Sequence, residues 1–198
     1  MKTRRVATVA LLSLAFAIIL LSMHPTAYGI PGLSYVKDTP FSYLIGFILG
    51  SISATLVYPV SAVMEALAVG RVGRSRMLVA LLAGVVQCAM IVFVATVLRE
   101  AAGLDVPWSA VAVFMSSTIF FHGIGMISAG FFHGMSVWVI PIALVVFLLM
   151  FAWKDRDTPQ PWNILLHTNP SLFSVCLAVF VAGLVVVWVR NPKEVAAA

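Results

Sequence analysis

With 198 residues, 62% of them hydrophobic and 10% charged, the chain lies far outside the roughly 45–50% apolar, about 25% charged range of soluble domains. That composition excludes a water-soluble globular domain. The net charge of +5 forms no basic patch of the kind a nucleic acid needs; it is spread over short loops between apolar stretches and reads as membrane topology.

A membrane-crossing helix needs about 20 apolar residues. Six stretches meet that requirement: Val6–Met23, Phe41–Pro59, Met77–Leu98, Trp108–Phe132, Ser136–Trp153 and Ser171–Val189. The gaps between them are too short to bury a core of their own. The expected fold is therefore a single all-α integral membrane domain over residues 1–198, with six transmembrane helices.

Lys2, Arg4 and Arg5 precede the first stretch. This basic start, with the small-x-small run Ala27-Tyr28-Gly29, would suit a secretory signal. The apolar core is longer than the roughly 7–15 residues of a signal h-region, so a retained helix is expected. The second stretch contains Gly46-Phe47-Ile48-Leu49-Gly50, a Gly-x-x-x-Gly, followed by Ser51 and Ser53. Such a face lets two helices approach closely, within one chain or between chains.

Met64–Gly70 continues helically past the second stretch. Arg71-Val72-Gly73-Arg74-Ser75-Arg76 is then expected to turn and lead into the third. The third stretch carries Gln87 and Cys88. The fourth carries Ser116, Ser117, Thr118, His122, Gly123, Gly125, Ser128 and Gly130. Phe120-Phe121-His122-Gly123 recurs as Phe131-Phe132-His133-Gly134, which separates the two histidines by about 16 Å along a helix. After the fifth stretch, Lys154–Pro170 is the longest outer loop. Pro159 and Pro161 suit the entry to a short helix, so Trp162–His167 is expected to lie helically at the outer interface. Trp108, Trp138, Trp153, Trp162 and Trp188 stand near the ends of stretches, as interfacial tryptophans do. Cys88 and Cys176 fall inside apolar stretches and read as small buried hydrophobes.

Orientation follows from the lysines and arginines. Lys2, Arg4, Arg5, Arg71, Arg74, Arg76, Arg190 and Lys193 share one side, against Lys37, Arg99, Lys154 and Arg156 on the other. The richer side is the cytoplasm, and both termini are placed there.

No Asp or Glu lies well inside a stretch, which argues against a proton- or sodium-driven carrier built on intramembrane carboxylates. There is no P-loop, His-Glu-x-x-His, Cys-x-x-Cys or Gly-x-Ser-x-Gly. An enzyme is not expected, and no cofactor or metal is assigned to this chain. His122 is the one titratable group near the middle of a stretch. It is either hydrogen-bonded to a neighbouring helix or a haem, copper or proton-relay group. Gly46, Gly50, Gln87, Ser116, Ser117 and His122 are read as helix-packing contacts or as the lining of a path for an amphipathic or apolar substrate. Glu65, Gly70, Arg71, Arg74 and Arg76 form either a topology-setting turn or a docking element whose arginines meet carboxylates of a cytoplasmic partner.

In its six stretches, in Glu65 followed by Gly70-Arg71 and Arg74-Ser75-Arg76, and in the Lys154–Pro170 loop with Trp162–His167, the chain resembles the permease subunits of type-2 ABC exporters. The resemblance spans nearly the whole layout. It implies a bacterial plasma-membrane permease subunit that meets a separate ATP-binding ATPase through Glu65–Arg76 and pairs with a second permease chain. Only Met1–Arg5 stands where that family usually carries an amphipathic interfacial helix. That departure implies either a reduced subunit paired with a different permease or another family. The alternatives are a non-transporting accessory subunit of a membrane complex, a self-contained carrier or channel, and an intramembrane enzyme or haem protein.

Overall fold

The computed structural model of the chain describes residues 11–15, 18–19, 27–28, 39–40, 46–52, 72–103, 106–132, 134–151, 160 and 170–189. The elements among these residues are helical, apart from a two-residue antiparallel ladder in which β1 (Ala27–Tyr28) pairs with β2 (Thr39–Pro40). Four α-helices follow: α1 (Val72–Ala102), α2 (Trp108–Phe131), α3 (Val139–Phe151) and α4 (Pro170–Val189). Residues 11–15 and 46–52 are also helical.

Among the described residues, three helices are long and apolar enough to cross a membrane, over Ser75–Ala101, Trp108–Phe131 and Ser171–Val189. At 1.5 Å per residue α1 is about 46 Å long and outruns a hydrocarbon core of about 30 Å. Its first turn is Val72-Gly73-Arg74-Ser75, where a turn was expected from the sequence. Arginine is a good helix former, so the backbone stays helical through this basic segment. The helix stops at Gly103, whose φ of +62° is the left-handed conformation that caps helices. Pro107 then opens α2, its carbonyl accepting from the N–H groups of Ala110 at 3.0 Å and Val111 at 3.3 Å. The guanidinium of Arg99 lies 5.3 Å from the ring centroid of Trp108 and ties the two helix ends together. Below the turn, Ile91, Val94 and Ala95 pack with Val111 and Phe114 as an antiparallel pair.

α2 ends where Phe132 turns extended and its N–H bonds the carbonyl of Ser128 at 2.9 Å. A 3-10 turn, Gly134–Trp138, then feeds directly into α3. Pro141 stands just past this junction. It has no N–H to give the carbonyl of Val137, four residues back. The hydroxyl of Ser128 on α2 supplies the missing donor at 2.6 Å. At about 2.0 Å per 3-10 residue and 1.5 Å per α residue, Gly134–Phe151 covers about 30 Å. Val145 and Leu148 come back to Phe120 and Phe121, so α3 runs antiparallel to α2.

α4 runs parallel to α2. A Cβ added to Gly123 would stand 2.7 Å from the carbonyl oxygen of Val179, and one added to Gly183 would stand 2.7 Å from that of Gly123. Backbone therefore lies against backbone where the two helices cross. Further along, Gly130 meets Val186. Because α2 and α4 point the same way, the chain between them returns along the length of the bundle.

α2 is the inner helix. α1 and α4 direct Leu82, Val85, Phe93, Val181 and Val185 outward. In water such faces would be a large exposed apolar patch; in a bilayer they meet lipid. These features make the chain an integral membrane protein.

Candidate functional site

An inner helix is normally oily. α2 instead buries Ser116, Ser117, Thr118, His122 and Ser128 among its apolar residues. Helical spacing sets Ser117, Thr118, Phe121 and His122 on one flank, at i, i+1, i+4 and i+5. The helical segment 46–52 lies along that flank. Gly46 meets Ser117, and a Cβ on Gly50 would stand 2.6 Å from both the amide nitrogen of His122 and the carbonyl oxygen of Thr118. Segment 46–52 therefore runs parallel to α2, with its two glycines seated on α2 and its Phe47 ring edge-on to Phe121 at 5.5 Å.

α1 closes the next side. The Gln87 amide donates to the carbonyl of Leu49 at 2.8 Å and to the hydroxyl of Ser13 at 3.3 Å. One turn earlier, a Cβ on Gly84 would stand 3.6 Å from Cε1 of His122. α4 closes the third side, with Phe180 edge-on to the imidazole at a centroid distance of 5.3 Å. These groups share one depth: His122 lies about 4 Å along the axis from the midpoint of α2, and Phe180 is central in Ser171–Val189.

The hydrogen-bond balance here is uneven. Ser116 is satisfied within its own helix, its hydroxyl donating to the carbonyl of Ala112 at 2.8 Å. Among the described residues, no partner meets the hydroxyls of Ser51, Ser117 and Thr118, the side-chain oxygen of Gln87, or either ring nitrogen of His122. The expected hydrogen bond from His122 to a neighbouring helix is thus not formed among them. Buried polar groups in proteins are overwhelmingly paired, and hydrocarbon offers no water to compensate. The described charged residues, Arg74, Arg76, Arg99 and Glu100, all lie toward the ends of α1. The mid-depth cluster is polar, uncharged and walled by aromatic rings. It can exchange hydrogen bonds, with an imidazole that in its neutral form gives one and accepts one. It supplies no carboxylate for acid–base work and, among the described residues, no group of three His, Cys, Asp or Glu side chains around a common metal position.

No family model, curated protein or solved structure matches the chain.

Of the residues singled out in the sequence, Gly46, Gly50, Ser117 and His122 meet in one seam, and Gln87 reaches it through the Leu49 carbonyl. Ser116 turns away onto its own helix. Arg74 and Arg76 stand at the start of α1. Glu65, Gly70 and Arg71 lie outside the described residues, as do His24, His133, His167 and the Trp162–His167 segment. The seating of Thr118 against Gly50 and of Phe180 against His122 emerges only from the structure. Thr118 had a sequence signal, lying one helical turn before His122. Phe180 had none, being one apolar residue among many in its stretch.

Proposed function

We propose that the chain is a membrane-embedded transport subunit: a half-permease that guides its solute along the Ser117–His122 flank of α2. In this reading it works with a separate cytoplasmic ATPase and a second permease chain in a bacterial plasma membrane. The observation that carries the transport reading is the set of buried, unpartnered polar groups at mid-depth, on Ser51, Gln87, Ser117, Thr118 and His122. A scaffold or assembly subunit has no use for them, since each is unfavourable inside a bilayer and tends to mark a pathway or binding role. The alternating layout draws support from helix directions, while the cytoplasmic placement of the termini rests on the lysine and arginine count. Segment 46–52, α2 and α4 run one way, while α1 and α3 run the other, as alternating crossings require. Dependence on an ATPase rests on the Glu65–Arg76 segment. Its basic end continues into α1, and a helix that outruns the bilayer makes a stiff lever between a cytoplasmic motor and the seam.

The test is affinity purification of the full chain from native membranes. A P-loop ATPase is expected to accompany it, and alanine at Arg71, Arg74 and Arg76 is expected to reduce its recovery severalfold with insertion intact. Unchanged recovery removes the docking role. A chain that purifies without any ATPase overturns the ATP-driven reading.

A further inference from the structure

The seam itself says what kind of solute fits. We propose that the contact between segment 46–52 and α2 is a binding site for an uncharged amphiphile whose head group carries hydroxyl or amide groups, held shut in this structure by Gly46 and Gly50. The inference rests on the transport reading above and names its substrate class.

Three observations carry it. The first is chemistry without charge. Three hydroxyls, one amide oxygen and an imidazole lie on the helices that meet around this level, and their side chains are deeply buried: His122 is 0% exposed, Ser117 and Thr118 1%, Ser51 and Gln87 3%. Hydroxyls both give and accept hydrogen bonds, so the set matches a head group that does the same. No charged side chain among the described residues lies at this depth. An ionic head group would be left without a counter-charge in a medium of low dielectric, which is strongly unfavourable.

The second is the wall. Phe47 and Phe121 stand edge-to-face on one side at 5.5 Å, and Phe180 lies edge-on to His122 at 5.3 Å on another. A bare polyol would lose hydration against these rings, whereas an amphiphile lays its chain along them.

The third is closure. At Gly50 there is no room for even one methyl group, because the backbone of Thr118 and His122 lies 2.6 Å from where it would stand. Gly46 is as tightly seated on Ser117. The seam is therefore shut by apposed backbones while the polar side chains beside it go unpaired. Parting segment 46–52 from α2 exposes these groups to a head group that pairs them. Glycines permit the contact to be made and broken with no side chain to interlock.

The experiment uses the full chain in lipid nanodiscs. The probe is a monoacylglycerol, monoolein, bearing a photoactivatable diazirine, and adducts are mapped by mass spectrometry. Expected are adducts on residues 46–52, 84–87 or 117–122, reduced at least fivefold by excess unlabelled monoolein and not by oleate, its ionised counterpart. Thr118→Val and Ser117→Ala, each removing one unpartnered hydroxyl with little change of volume, should lower seam labelling severalfold. Adducts at the outward-facing Leu82 and Val85 should stay unchanged in the same samples. Adducts confined to such outward positions, equal competition by oleate, or seam labelling indifferent to both substitutions would overturn the proposal. Co-purification of an ATPase with no seam adducts removes the substrate assignment and leaves the transport reading standing. Seam adducts without an ATPase support the site and remove the ATP-driven reading.

Discussion

Ser128→Ala tests how the bundle is held at the bend between α2 and α3. The Ser128 hydroxyl gives its hydrogen to the carbonyl of Val137 at 2.6 Å, and that carbonyl lacks its α-helical i+4 amide because residue 141 is proline. Both groups are buried. Removing the hydroxyl strands the carbonyl, a change of about 1–3 kcal/mol in soluble proteins. Comparable bonds in membrane proteins average about 0.6 and reach about 1.7 kcal/mol. The expected loss is about 1 kcal/mol, or roughly a fivefold fall in the folded-to-unfolded ratio. In a Pro141→Ala background, residue 141 regains an N–H that can meet the Val137 carbonyl. There the loss from Ser128→Ala should shrink to a few tenths of a kcal/mol, as a coupled pair requires. The assay is a double-mutant cycle by reversible SDS unfolding in mixed micelles. Equal losses in both backgrounds would refute the reasoning, since Ser128 would then not be substituting for the missing amide.

Other predictions follow from individual contacts. Gly123→Ala drives a methyl against the backbone of Val179 and Phe180 at 2.7–2.8 Å and should destabilise by about 1–3 kcal/mol. Gly84→Ala meets side chains and not backbone, the edge of the Phe180 ring at 3.0 Å and His122 Cε1 at an ordinary 3.6 Å, so its melting temperature should fall clearly less. Gly103→Ala has open space but a φ of +62°, and should lower stability by about 1–2 kcal/mol through backbone conformation alone. Thr118→Val deletes an unpartnered buried hydroxyl and should raise thermal stability while impairing transport; a loss of stability would mean that the hydroxyl is paired in the resting state.

Oil and length made the helices legible. Met77–Leu98, Trp108–Phe132 and Ser171–Val189 each fall on a helix in the structure, with differences at the ends. α1 begins at Val72 and not at Met77 because backbone hydrogen bonding continues where the hydrocarbon stops, and hydropathy sees only the hydrocarbon. Ser136–Trp153 reads as one uniform stretch, yet Gly134–Trp138 is 3-10. Pro141 was visible, but its consequence depends on which donor reaches Val137, and that donor is on another helix. Facing relations were least legible. Ser116 and Ser117 are chemically identical neighbours separated by about 100° of helical rotation. One closes onto Ala112, while the other lies under Gly46. The Gly-x-x-x-Gly face announces close approach without naming its partner, and within this chain the partner is α2.

Thiol labelling in liposomes at position 118 tests the account's centre most directly. Cys88 and Cys176 are first replaced by alanine, and Thr118→Cys is compared with Val85→Cys. Val85 is 58% exposed on the outward side and adjoins Gly84, which meets His122, so the two positions lie within about one helical turn of the same depth. A small uncharged water-borne methanethiosulfonate reacts with thiolate, which hydrocarbon suppresses. If the α2 flank opens as a solute route, Thr118→Cys labels at least tenfold faster than Val85→Cys. If both are equally inert, the polar flank never meets water and the transport account is contradicted.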